Sequence, residues 1–177
     1  MRIFYNYVLV TLVCVAAGAV CAQPVSSGDD REAEESILDA AETFFVSLKD
    51  SDFHSVWTLL SKKSRTTIIN DVYTASEKMD MGVTKEAVIE DFERRGTMFN
   101  NYWNSFRGNI DIDLILEQSQ WQMSEIHPSK TEIIISHKKS PHPTRLKLFK
   151  EHDQWKVGLT ETFWVQKALR VLQYILL

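Results

Sequence analysis

The spacing of the apolar residues changes once along this chain, from every third or fourth position to every second position. From residue 31 to residue 106 the apolar positions follow the period of amphipathic helices. The segment 31–49 shows this best, because its apolar residues share one helical face: Ile37, Leu38, Ala41, Phe44, Phe45 and Leu48. Acidic residues crowd the start of the segment, where they suit the positive end of a helix dipole. We therefore predict a first helix over 31–49.

Three further helical segments follow before the spacing changes. Asp52 is placed to cap a second helix over 53–61, and an irregular third helix covers 64–79. Thr84 is placed to cap a fourth helix, which continues to residue 106 with a break at Gly96. The chain therefore opens with a layer of helices.

After residue 109 the apolar residues alternate with polar ones, which predicts strands. The clearest alternation is that of Ile110, Ile112, Leu114 and Leu116 with Asp111, Asp113 and Glu117. We predict five strands, over 110–117, around 121–123, over 131–138, around 145–149 and over 155–159. Their connecting turns are too short for parallel crossovers, so the strands must be antiparallel neighbours. Helices that cover one face of an antiparallel sheet make an α+β fold.

The two ends of the chain predict processing and a final helix. Residues 1–22 begin with a basic residue, continue in an unbroken run of apolar and small residues over 8–20, and end in the small-residue site Val20-Cys21-Ala22. This pattern is typical of a cleavable secretory signal peptide, and the run is too short to span a bilayer comfortably. An uncleaved anchor and a lipoprotein signal that uses Cys21 are the alternatives. We divide the chain into a signal peptide (1–22), a linker (23–30), a domain (31–160) and a C-terminal amphipathic helix (161–177).

Composition narrows the class of protein. Both cysteines, Cys14 and Cys21, lie in the predicted signal peptide, so the mature chain has no disulfide and no thiol nucleophile. The mature chain keeps 24 acids against 19 bases, because Arg2 is the one charged residue before Gln23. This negative balance argues against a general nucleic-acid binder. The length predicts a single domain, and the signal peptide places it in the periplasm or outside the cell.

Two segments carry a family resemblance. The segments AAETFFVSLKDSDFHSVWTLLS (40–61) and RLKLFKEHDQWKVGL (145–159) resemble the nuclear transport factor 2-like superfamily, whose cystatin-like cone also occurs in ketosteroid isomerase and scytalone dehydratase. The resemblance covers roughly 37–159 and implies N-terminal helices packed on a curved antiparallel sheet around a conical pocket, as in small exported bacterial proteins. No position matches the proton-shuttling Asp of the isomerase and its Tyr donor by local motif. No catalytic role is therefore carried over.

Aromatic residues are the candidates for lining such a pocket. One helical face carries Phe99, Tyr102, Trp103 and Phe106. The candidate ligand-binding residues are Trp57, Tyr73, Trp103, Trp121 and His137. Each aromatic residue can equally belong to an ordinary core, because large aromatic side chains dominate protein interiors. His137 points inward if the strand alternation holds, and a base there would also need a residue that orients it.

Charged residues form two further candidate groups. Asp111 and Asp113 would share one strand face about 7 Å apart, which suits paired-carboxylate chemistry or a cation, and also suits a solvated sheet face. The hairpin from 137 to 150 carries no acid and five cations: Lys138, Lys139, Arg145, Lys147 and Lys150. These cations can meet an anionic ligand, lipid headgroups or an acidic partner. They can also simply discourage aggregation at a strand edge.

These observations lead to ranked functional hypotheses. The five histidines form no zinc-binding motif, so we expect no metal, no cofactor and no catalytic residue. The leading hypothesis is an exported, non-enzymatic domain that binds a small apolar ligand or a protein partner through a conical pocket. One alternative is a pocket enzyme of the isomerase or dehydratase type, with a carboxylate or His137 as base and Tyr73 or Tyr102 as donor. Another is an accessory subunit of an envelope complex. The helix 161–177 can pack on the sheet, which is the commonest arrangement, form a dimer seam or lie on a membrane.

Overall fold

Helices come first and strands second in the structure, a computed structural model that describes residues 28–138, 140 and 142–163. The helices before the sheet are α1 (Gly28–Lys49), α2 (Phe53–Leu59), α3 (Lys62–Lys78), α4 (Lys85–Arg94), α5 (Thr97–Gly108) and α6 (Ile112–Glu117). The strands are β1 (Gln120–Met123), β2 (Lys130–Ser136), β3 (Thr144–Glu151) and β4 (Gln154–Gly158), and the short helix α7 (Leu159–Phe163) follows them. The predicted α+β class is confirmed. The predicted signal peptide and most of the final helix lie outside the described residues.

The four strands form one antiparallel sheet in the order β1-β2-β3-β4. The register places Ile133 opposite Leu146 and Leu148 opposite Val157, so apolar residues of neighbouring strands share the inner face. The turn between β3 and β4 consists of His152 and Asp153, which have φ values of 50° and 61°. Positive φ at both central residues is what a two-residue type I′ hairpin turn requires. The predicted antiparallel neighbours and tight turn at 151–154 are therefore confirmed.

The predicted first strand over 110–117 is wrong, because residues 112–117 form helix α6. Asp111 caps this helix by accepting a hydrogen bond from the Leu114 N–H at 3.0 Å. On the exposed side, Lys49 at the end of α1 contacts the carboxylates of Asp113 at 2.6 Å and Glu117 at 3.1 Å. Residues four apart lie about 6 Å apart on a helix face but about 13 Å apart along a strand, so one lysine contacts both carboxylates only if the segment is helical. Asp111 and Asp113 therefore serve as a cap and an ion pair, not as a carboxylate pair on a strand.

The core lies between α1 and the inner face of the sheet. The predicted apolar face of α1 is fully buried at Ile37, Ala41, Phe44, Phe45 and Leu48. This helix packs against α2, β4 and α6. The inner sheet face buries alternate residues of β2 and β3, which leaves the residues between them on the opposite face. One sheet face is thus covered by helices, as the sequence predicts.

Short polar contacts set the helix ends. Asp52 and Thr84 cap α2 and α4 as predicted, accepting from the N–H groups of Ser55 and Ala87 at 3.2 Å each. The predicted break at Gly96 separates α4 from α5, and Asp91 accepts from the Phe99 N–H there at 2.8 Å. A Cβ at Gly96 would collide with the Asp91 carboxylate, so a larger residue here would displace the side chain that caps α5.

Candidate functional site

The aromatic residues predicted to line a pocket are divided between two places in the fold. Trp57 and Trp103 come together, with ring centroids 6.4 Å apart, in a cluster of rings from α2, α4 and α5. The other rings of this cluster are Phe53, Phe92, Phe99, Tyr102 and Phe106. Trp103 is 0% exposed, so the rings around it occupy the space that a ligand would need. Its indole Nε1 is buried and has no hydrogen-bond partner among the described residues.

The remaining pocket candidates lie elsewhere. Trp121 on β1 packs against Phe45 of α1, with ring centroids 5.9 Å apart, and donates from Nε1 to the Ile115 carbonyl at 3.0 Å. Tyr73 on α3 donates to Glu77 Oε1 at 2.7 Å, and this hydrogen bond raises the pKa of Tyr73. His137 is half-buried just beyond the end of β2. Within the described residues, Trp121 and Tyr73 make no ring contact with the cluster around Trp103.

Two titratable groups with shifted pKa values, Asp71 and Tyr102, lie on α3 and α5. Burial raises the pKa of Asp71 on α3, and burial together with the Asp71 charge raises the pKa of Tyr102. Such a pair is what the pocket-enzyme alternative needs, because proton-transfer sites combine shifted titratable groups. Neither residue lines any of the grooves described below.

The predicted cationic hairpin is partly neutralised in the fold. Arg145 contacts Glu132 on the neighbouring strand at 3.4 Å, and Lys150 contacts Asp153 at 3.8 Å. Lys138 is exposed, and Lys139 lies outside the described residues. Lys147 makes no salt bridge among the described residues and is half-buried. Of the four predicted cations that the structure describes, Lys147 is the one that lines the grooves on this sheet.

The sheet face opposite the core carries two adjoining grooves. The helix-side groove has a volume of about 460 Å³ and is lined by Lys63, Thr67, Lys147, Phe149, Thr160 and Glu161. The strand-side groove has a volume of about 370 Å³ and is lined by Ser124, Glu125, His127, Lys130, Thr131, Glu132, Lys147 and Phe149. Because Lys147 and Phe149 line both, the two grooves form one continuous surface. We call this surface the open face.

Phe149 provides the apolar floor of the open face. It sits on β3 between Lys130 of β2 and Lys156 of β4. Its ring lies over Gly158, where any Cβ would collide with it. The absence of a side chain on Gly158 therefore leaves the space that the Phe149 ring occupies.

The carboxylate in the helix-side groove, that of Glu161, accepts hydrogen bonds from neighbouring side chains. Glu161 accepts from the hydroxyl groups of Ser64 at 2.6 Å, Thr160 at 3.0 Å and Ser61 at 3.1 Å. Lys63 and Lys147 make no salt bridge among the described residues. Glu161 keeps its negative charge when it accepts from neutral hydroxyl groups, but the two ammonium groups outnumber it in this groove, which favours an anion.

Sequence reasoning missed Lys63 and Phe149. Phe149 was detectable, because it breaks the alternation of β3 by placing a large aromatic ring on the lysine-rich side of the strand. Lys63 was not detectable, because nothing in the sequence places the start of α3 beside β3. Among the described residues, no His, Asp or Glu cluster could hold a metal ion. None of the described helices has the length and apolar character needed to cross a bilayer.

Comparison with known proteins gives no assignment: no protein-family model, no curated protein and no solved structure matches this chain. The case for a function therefore rests on the geometry of the site.

Proposed function

We propose that this chain is an exported, non-enzymatic domain that binds a small, largely apolar ligand carrying an anionic group. The ligand lies on the open face, with its apolar part on Phe149 and its anionic group between Lys63 and Lys147. The observation that carries the proposal is that Phe149 and Lys147 line both grooves. Ligand sites typically combine an apolar floor with a few convergent polar groups, and these grooves have that composition.

The open face is a better candidate than the aromatic cluster. A ligand beside Trp103 would have to displace rings that are already packed, since that side chain is 0% exposed. Well-packed interiors resist such insertion. On the open face the ligand meets two existing grooves, and Phe149 is only partly buried.

Membership of the nuclear transport factor 2-like superfamily, with the sheet curled into a cone, is part of the same proposal. Its support is the order of the elements, helices followed by an antiparallel sheet of sequential strands. The open-face site does not depend on this membership, because it is built from residues of this chain.

The test is a binding titration of the mature chain with anilinonaphthalene sulfonate, an aromatic anion whose fluorescence rises in apolar surroundings. Dodecanoate and dodecanol then compete for the site, because they share an alkyl chain and differ in charge. We expect dodecanoate to displace the probe at about tenfold lower concentration than dodecanol, a difference of about 1.4 kcal/mol. The double variant Lys63→Gln/Lys147→Gln removes this preference, and Phe149→Ala weakens both competitors.

Lys78→Gln is the matched control. Lys78 is exposed and lies at the far end of the same helix as Lys63, about 22 Å away at roughly 1.5 Å per residue. Circular dichroism and thermal unfolding establish that each variant is folded. Equal affinity for the acid and the alcohol, or a Lys78 variant as weak as the double variant, would refute the anionic site.

A further inference from the structure

One edge strand of the sheet, β4, is covered by another segment of the chain, and the other edge strand, β1, is not covered by any described residue. The β4 edge is covered by the link between α2 and α3, where Leu60 bridges Val157 and the Ser61 N–H donates to the Val157 carbonyl at 2.9 Å. Lys156 on the same strand donates to the Thr58 carbonyl at 3.0 Å. β1, at the other edge, pairs with β2 on one side, and no described residue pairs with its outer side.

The backbone groups on the outer side of β1 can be identified from its register. The Ser124 N–H donates to the Glu132 carbonyl at 3.0 Å, so Ser124 belongs to the set of residues that bond to β2. Bonding alternates along an antiparallel pair, so Gln122 and Gln120 belong to the same set. The N–H and C=O groups of Trp121 and Met123 therefore point outward, in the plane of the sheet.

The edge also lacks the features that usually prevent strands from pairing. Proteins protect exposed edges with lysine, proline, bulges or inward charges. Residues 118–124 read QSQWQMS, without a charge or a proline, and β1 pairs with β2 without a bulge. Gln120 and Gln122 are exposed on the same side of the sheet as the open face.

We infer that β1 pairs antiparallel with β1 of a second copy of this chain, which joins two sheets into one of eight strands. In a two-fold interface every residue meets its own copy or a near neighbour, so a charge on the strand would meet a like charge. The uncharged run fits a self-complementary partner for this reason. If Trp121 of each copy bonds with Met123 of the other, Gln122 faces Gln122 across the two-fold axis at a Cα distance of about 4.5 Å.

A charge-swap experiment tests this pairing, with sedimentation of the mature chain over a range of concentrations as the measurement. We expect a concentration-dependent dimer for the wild-type chain. Gln122→Lys and Gln122→Glu each place like charges opposite one another, and each raises the dimer Kd by about tenfold or more. Mixing the two variants restores association, because lysine then faces glutamate.

Gln154→Lys is the control, since Gln154 is an exposed glutamine on the opposite edge strand. This variant dimerises like the wild type. A wild-type chain that stays monomeric at every concentration overturns the inference, as does a mixture of the two Gln122 variants that associates no better than either alone. The outcome does not depend on the ligand of the open face.

Discussion

At the residue scale, Asp71 shows how burial makes stability depend on pH. Burial raises the pKa of this carboxyl group above its ordinary value of 3.8. Because its pKa is higher in the folded state than in the unfolded state, Asp71 binds a proton more strongly in the folded state. The folded state is therefore relatively most stable when Asp71 is protonated. The stabilisation from protonated Asp71 is lost as the pH rises from about 3.8 through the pKa of Asp71 in the folded state, and it is absent at neutral pH.

We therefore expect Asp71→Asn to raise the free energy of unfolding at neutral pH, on the order of 0.5 kcal/mol, because the neutral amide avoids the cost of burying a charge. Near pH 3 both states of the wild type carry a mostly protonated Asp71, so the advantage shrinks. Urea unfolding at the two pH values measures the difference. Asp39→Asn on the exposed side of α1 serves as the control, and an equal gain at both pH values would contradict this account.

At the element scale, the start of α3 is held by residues from the end of the described chain. Ser61 caps the helix by accepting from the Ser64 N–H at 3.0 Å, and Glu151 of β3 accepts from the Lys62 N–H at 2.9 Å. Glu161 of α7 binds the hydroxyl groups of Ser61 and Ser64, which are 1% and 0% exposed. The sheet, α3 and α7 are thus joined by one hydrogen-bond network.

Removing the Glu161 carboxylate leaves the buried Ser61 hydroxyl without an acceptor and takes away the shortest hydrogen bond of the Ser64 hydroxyl. We expect Glu161→Ala to lower the free energy of unfolding by about 2 kcal/mol, since an unpaired buried polar group costs about 1–3 kcal/mol. Urea unfolding followed by tryptophan fluorescence gives the value. Glu93→Ala, at an exposed position of α4, changes stability by less than about 0.5 kcal/mol. A Glu161 variant no less stable than the Glu93 variant would show that the network is unimportant.

Local pattern predicts an element well when its decisive contacts are local. The face of α1 and the caps Asp52 and Thr84 were predicted from neighbouring residues, and the structure confirms them. The segment 112–117 is ambiguous, because Ile112, Ile115 and Leu116 also fit a helical spacing. Its helix is supported by ion pairs to Lys49, which no local pattern contains.

At the scale of the whole molecule, the candidate site depends on contacts between distant parts of the chain. Lys63 and Lys147 are 84 positions apart in sequence and line one groove because α3 packs against α7, which packs against β3. The cationic character of the hairpin was predictable from composition, and Lys147 belongs to it. Which of these cations form ion pairs with acidic residues, as Arg145 does with Glu132, depends on strand register and was not predictable.

Export is the prediction that concerns the whole chain. We expect the chain, expressed in a bacterium that secretes proteins, to be cleaved after Ala22, so that the mature protein starts at Gln23. N-terminal sequencing and intact mass of the product from the periplasm or the medium measure this. An unprocessed start at Met1 would favour the anchor, and a lipid-modified start at Cys21 would favour the lipoprotein signal.

The network at the start of α3 also bears on how the chain is made. The hydrogen-bond acceptors of Lys62 and Ser61 follow 89 and 100 residues later in the sequence. A ribosome has therefore synthesised nearly the whole domain before these two hydrogen bonds can form. Contacts this distant in sequence slow folding, because the long intervening loop must close before they form. A nascent chain that stalls before β3 would lack the Glu151 acceptor of the Lys62 N–H and the Glu161 acceptor of the Ser64 hydroxyl, so we expect proteases to cleave it faster than the finished protein.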